Sequence, residues 1–177
     1  MTKRLSAMLL SIGILGGAFV GCGEKKEQPK EPQKQEQTQQ EDTVTEIKLK
    51  EPFEVKTEYG NYSVTINSIK TTKYRNEYED KKPKQVIVLD YTYKNESFKP
   101  DGGVKLLVDK TSFVLMDEEG NVLRTYAINT GEIPEPIPVG GKLNATLGYA
   151  VPTDSKEIKL QYDRGNGPIG EMVVNIK

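Results

Sequence analysis

The chain of 177 residues contains one cysteine and no histidine. Those two counts decide most of the chemistry open to it. Without histidine there is no Ser-His-Asp or Cys-His pairing of nucleophile and base, and the nitrogen ligands that zinc favours are missing. Carboxylates, lysines, serines and tyrosines remain. A glycosidase would need two carboxyl groups about 5–10 Å apart across a cleft, but here the acidic residues are scattered over turns and polar faces and no pair stands apart. The turn Asp117-Glu118-Glu119-Gly120-Asn121 offers hard oxygen ligands. It lacks the D-x-[DN]-x-[DN]-G spacing of a calcium loop and no Glu follows at the twelfth position, so it reads as a hairpin turn. Asp163-Arg164-Gly165-Asn166-Gly167 reads the same way. No catalytic residue, metal or cofactor is expected.

The remaining reactive group is the thiol of Cys22. It stands where the chain changes character: Leu5 to Val20 is apolar and glycine-rich behind Lys3 and Arg4, and no strongly apolar residue follows until Val44. A basic start and a short apolar run describe a secretory signal. The run is too short and glycine-rich for a membrane span, which needs about 20 apolar residues. Phe19-Val20-Gly21-Cys22 resembles the lipobox of bacterial lipoproteins, with Phe where Leu is usual. The resemblance implies that a soft, easily alkylated thiol takes a diacylglyceryl group and that cleavage makes Cys22 the new N-terminus. One acyl chain anchors only marginally, whereas two or more anchor stably.

Loss of residues 1–21 lowers the basic count from 25 to 23 against 26 acidic residues, a mature net charge of −3. That mild acidity argues against nucleic acid as a partner. The single cysteine allows no internal disulfide, so the fold must rest on its hydrophobic core. Residues 22–46 are dominated by Gln, Glu, Lys and Pro and cannot offset their ordering entropy, so a disordered tether is expected. A coil of about 24 residues spans roughly 25–30 Å.

From residue 47 to 177 the pattern is that of one all-β domain, an antiparallel sandwich of seven to eight strands. Tyr62 to Ile66 alternates apolar and polar, then the parity slips to Ile69, which predicts a bulge near Asn67 and Ser68. Val86 to Tyr93 reads as a central strand. Phe113 and Leu115 lead into the 117–121 turn, with Val122 to Tyr126 as the expected hairpin partner. Residues 143–151, 158–162 and 172–176 supply further strands.

Binding would fall to the loops. In 71–84, Tyr74, Arg75 and Tyr78 form a candidate contact surface. Residues 133–138 alternate Pro with other residues and suggest a stiff crossover. With 104–116 counted as one passage, alternating strand directions place loops 95–103, 127–141 and 163–170 at one end. The Tyr74/Tyr78 loop and 117–121 then lie at the other.

The succession YTYKN (91–95), FVLMDEEG (113–120), PVGGK (138–142), LGYAVP (147–152) and IKLQY (158–162) resembles a lipoprotein family of Gram-positive bacteria. Its members carry a single telokin-like, immunoglobulin-like domain of unknown function, similar to a secreted mycobacterial immunoprotective antigen. The resemblance implies that fold, a place on the outer face of the cell membrane, and no catalytic residue. The expected protein is thus a monomeric, lipid-anchored binding module for an envelope protein or wall component. The alternatives are a carboxylate-based enzyme acting on wall or lipid, and a ligand-carrying accessory subunit of a transporter or sensor.

Overall fold

The computed structural model describes residues 44–79 and 82–176. Cys22 and most of the expected tether lie outside the described residues. Nine strands follow one another: β1 (Thr45–Glu46), β2 (Pro52–Thr57), β3 (Gly60–Thr72), β4 (Gln85–Asn95), β5 (Phe113–Met116), β6 (Arg124–Thr125), β7 (Lys142–Val151), β8 (Glu157–Asp163) and β9 (Pro168–Asn175). They form two sheets, ordered β1-β9-β8-β5 and β2-β3-β4-β7-β6. This is the antiparallel, immunoglobulin-like sandwich that the alternation predicts. Pairing is antiparallel throughout except between β1 and β9.

The alternation dictates the core. β4 lies between β3 and β7 and turns Ile87, Leu89, Tyr91 and Tyr93 inward. They meet Phe113, Leu115, Ile158, Leu160 and Tyr162 from the facing sheet, all buried in one cluster. Each such side chain contributes about 1.5–3 kcal/mol on burial. The tyrosines also carry polar tips that must be satisfied. Tyr91 donates to the Val108 carbonyl at 2.6 Å, and the Tyr93 hydroxyl donates to the Glu135 carbonyl and accepts from its amide. Both irregular crossovers, 96–112 and 127–141, are therefore pinned to the central strand.

The predicted bulge is present: the β3–β4 register shifts between Ile66 and Ser68. The extra residue, Asn67, swings its amide to Asp90 at 2.7 Å and Thr92 at 3.0 Å.

Two boundaries differ from the sequence reading. Thr45 and Glu46, placed there in the tether, already pair with Gly170 and Glu171. Ile47 behind them is buried, and this apolar anchor starts the folded part early. The segment 122–126 is only briefly a hairpin partner of β5. Val122 bridges Met116 and the Leu123 amide donates to Leu115, after which Arg124 and Thr125 join β7 in the other sheet. The switch depends on Gly148, where a Cβ would come within 2.4 Å of the Tyr126 carbonyl. Only a residue without a side chain lets the strand cross so closely.

Candidate functional site

The strand directions gather the connections at two ends, as the alternation requires. At one end lie the β2–β3 turn, the crossover after β4, the approach to β7 and the β8–β9 turn. Buried Asn95 ties two of these together. Its amide nitrogen donates to the Phe98 carbonyl at 3.0 Å, and its backbone exchanges hydrogen bonds with Gly140 and Gly141. The β2–β3 turn is fastened from the other side: Glu96 and Ser97 donate to the Asn61 carbonyl and Lys99 to that of Tyr59.

These attachments leave a cleft of about 440 Å³ between the 98–107 crossover and the end of β8. Its walls include Phe98, Leu106, Leu107 and Tyr162, with Ser112 and Arg164 at the margin. At its base the hydroxyls of Tyr62 and Tyr162 meet at 3.0 Å. Burial pushes the Tyr62 hydroxyl above the usual range, against the opposing pull of Tyr162 and Arg164. Tyr162 is held well above it, again chiefly by burial. Both stay neutral at physiological pH, so the base of the cleft donates and accepts hydrogen bonds without carrying charge. Read from the sequence, each of these residues has a core or loop role. Nothing in it marked the cleft, because Phe98, Leu106 and Tyr162 belong to three separate segments.

The opposite end holds the residues that the sequence singled out for contact. Tyr78 projects fully, at 87 % exposure, while Tyr74 is half-buried. Arg75 is turned back on its own loop and donates to the carbonyls of Thr72 at 2.9 Å, Tyr74 at 2.8 Å and Lys84 at 3.3 Å. Its guanidinium braces the loop while the residue stays exposed, as Tyr78 does. The Tyr126 hydroxyl accepts from the Asn76 amide at 2.7 Å and fixes the loop to the sheet. Beside it lies an open depression of about 510 Å³ bordered by Pro83, Lys84, Val122, Arg124 and Pro152.

The acidic turn at this end is structural. Asp117 is buried and accepts from the amides of Glu119 (3.1 Å) and Asn121 (2.8 Å), the Asn121 side chain (2.9 Å) and the Thr153 hydroxyl (2.9 Å). Burial raises its carboxyl, but these hydrogen bonds, those from Asn121 foremost, outweigh burial and leave it below the ordinary value. A carboxylate so fully occupied has little left for a cation. Among the described residues no group of three acidic, histidine or cysteine side chains could hold a metal. No helix among them is long and apolar enough to cross a membrane.

Comparison with solved structures shows what the sandwich is similar to. The secreted protein MPT63 of Mycobacterium tuberculosis superposes with a TM-score of 0.58 at 12 % identity, over 73 % of this chain and 96 % of that one. YjhA of Bacillus subtilis superposes with a TM-score of 0.49 at 19 % identity, over 74 % of this chain and 99 % of that one. No curated protein matches the chain. At these identities the likeness shows the fold alone. A family model goes beyond the fold: residues 52–172, from β2 into β9, match the domain of unknown function DUF4352. The chain belongs to the DUF4352 family.

Proposed function

We propose that the protein is an extracytoplasmic lipoprotein, held on the outer face of a Gram-positive cell membrane through Cys22, whose sandwich binds an envelope protein or wall component without catalysis. The anchor rests on the lone thiol at the border between an apolar leader and a polar stretch. The description of the similar mycobacterial protein as secreted supports export.

The non-catalytic part rests on what the chain's side chains are engaged in. The chain has no histidine, and its one thiol is assigned to the anchor. The buried carboxyl Asp117 is taken up by hydrogen bonds from Glu119, Asn121 and Thr153. Glu171 meets the Lys159 ammonium at 2.8 Å, which lowers its carboxyl.

The cleft favours a second reading, a carrier of a small ligand. Its volume of about 440 Å³ falls in the range of small-molecule sites, and its wall is partly aromatic. Cell fractionation separates anchor from cargo. Wild-type protein should sediment with membranes and Cys22→Ser should appear in the soluble fraction; unchanged sedimentation of the variant contradicts the anchor. Cross-linking on intact cells followed by purification should then recover a discrete envelope protein or wall fragment. A protein that instead carries an extractable small molecule in the cleft supports the carrier.

A further inference from the structure

The end of the sandwich that carries the cleft is also the end at which the chain enters. β1 runs parallel to β9, with Thr45 opposite Gly170. Val44 therefore sits beside the β8–β9 turn, where it lines a shallow depression with Arg164, Pro168 and Ile169. Any anchor on Cys22 pulls on this end. Had the chain entered at the other end, the tether would first have to run the length of the domain. That length is about 35 Å for the eleven residues of β4.

The same end is where exposed apolar side chains concentrate. Five of the ten large hydrophobics exposed among the described residues are here: Val44, Tyr59, Val104, Leu107 and Val139. Tyr78, Val122 and Val173, the last level with Met116 through Lys159, belong to the opposite end. Val104, at 60 % exposure, tops the crossover beside Asp101–Gly103, and Val139 tops the turn that Gly140 makes onto Asn95. Their loops are fixed by backbone hydrogen bonds to neighbouring turns, so the apolar tips are presented rather than free to fold inward. Lys99, Lys105 and Lys142 stand among them without an ion pair among the described residues. The Arg164 guanidinium donates to the Lys56 carbonyl at 3.4 Å and lies near the hydroxyls of Tyr62 and Tyr162. Glu58, Asp101 and Asp163 share the region, and Asp163 is occupied by the Gly165 amide at 2.5 Å. Apolar tips ringed by unpaired cations match the headgroup layer of an anionic bilayer, where aliphatic and aromatic groups enter the interface and lysines meet phosphate.

We infer that this end docks on the anionic phospholipid surface, with Tyr59, Val104, Leu107 and Val139 entering the interface and Lys99, Lys105 and Lys142 meeting headgroup phosphates. The inference rests on the lipid-anchor reading, because a surface this small needs the tether. An anchor on the same chain holds the domain beside the bilayer at a high effective concentration, so contacts too weak to recruit a free protein suffice to orient an anchored one. The cleft then opens toward the membrane, and the Tyr78 end faces the wall.

The chain has no tryptophan, so a single introduced one reports its own position. Mature protein isolated from membranes, carrying Val104→Trp or Val122→Trp, is reconstituted into phosphatidylglycerol/phosphatidylcholine vesicles with brominated acyl chains. The mass of its N-terminal peptide is measured in parallel. Docking predicts that V104W is quenched and blue-shifted while V122W, at the far end, is neither. It also predicts that Lys99→Glu combined with Lys105→Glu removes the quenching of V104W. An acylated Cys22 with V104W unquenched, or with both probes quenched alike, overturns the inference and leaves the anchor standing. An unmodified Cys22 overturns the anchor and this inference with it.

Discussion

Tyr62 of β3 and Tyr162 of β8 join the two sheets through their hydroxyls, 3.0 Å apart at the base of the cleft. The pair lies between residues one hundred positions apart, and it is backed by edge contacts of Tyr162 with Phe53 and Phe113 and of Tyr62 with Phe98. It thus couples the inter-sheet core to the loops that shape the cleft.

Removing either hydroxyl leaves the other buried with a lost partner. Tyr62→Phe and Tyr162→Phe should each cost about 1–2 kcal/mol. The double variant should cost less than the sum, because it removes both polar groups together. A double-mutant cycle in urea measures the coupling, and strict additivity would contradict it.

The tyrosines also set the alkaline limit of stability. Burial is the main cause that pushes the hydroxyls of Tyr62, Tyr91, Tyr93, Tyr149 and Tyr162 upward. In the unfolded chain they ionise near pH 10, whereas the folded chain holds their protons longer. The unfolded state therefore binds fewer protons above about pH 10, and stability falls as pH rises from there. Asp117 acts at the other limit. Its lowered carboxyl contributes stability above about pH 4 that is lost as pH falls through the folded value. Melting temperatures should form a plateau between these limits, and a flat profile from about pH 9 to 11.5 would refute the tyrosine part.

How much of this was legible in the sequence follows from how local each signal is. β3, β4 and β7 announce themselves because alternate residues over many positions enter the core. β2 does not: it buries Val55 and half-buries Phe53 between charged neighbours, too little to stand out. The bulge at Asn67 was readable as a slip in parity. The sheet switch after Leu123 was not, since it depends on a close approach at Gly148 that only the tertiary structure creates. The grouping of loops followed from counting strand directions. Arg75 is exposed, as its place on a charged loop suggests, while the three backbone carbonyls that accept from its guanidinium had no signal in the sequence.

Gly60 illustrates the close tolerances at the cleft end. Its φ is +113°, and an added Cβ would sit 2.3 Å from the Ser97 carbonyl oxygen. Gly60→Ala should therefore cost about 2 kcal/mol or more. It should loosen the 96–100 segment first, read as faster amide exchange at Ser97 and Lys99. Unchanged exchange there would contradict this account of the turn.

The start of the folded part can be located by truncation. A mature chain lacking residues 23–43 should melt as the full one does. Removal through Ile47, which takes away β1 and a buried side chain, should lower stability by about 2–3 kcal/mol. Equal melting of all three chains would remove β1 and Ile47 from the core.

The central claim is that Cys22 joins a membrane anchor to this sandwich. Mass spectrometry of the N-terminal peptide from protein extracted out of membranes tests it most directly. The account predicts a chain beginning at Cys22 and heavier by a diacylglyceryl group. A chain that retains residues 1–21, or begins elsewhere with the Cys22 thiol free, would contradict it.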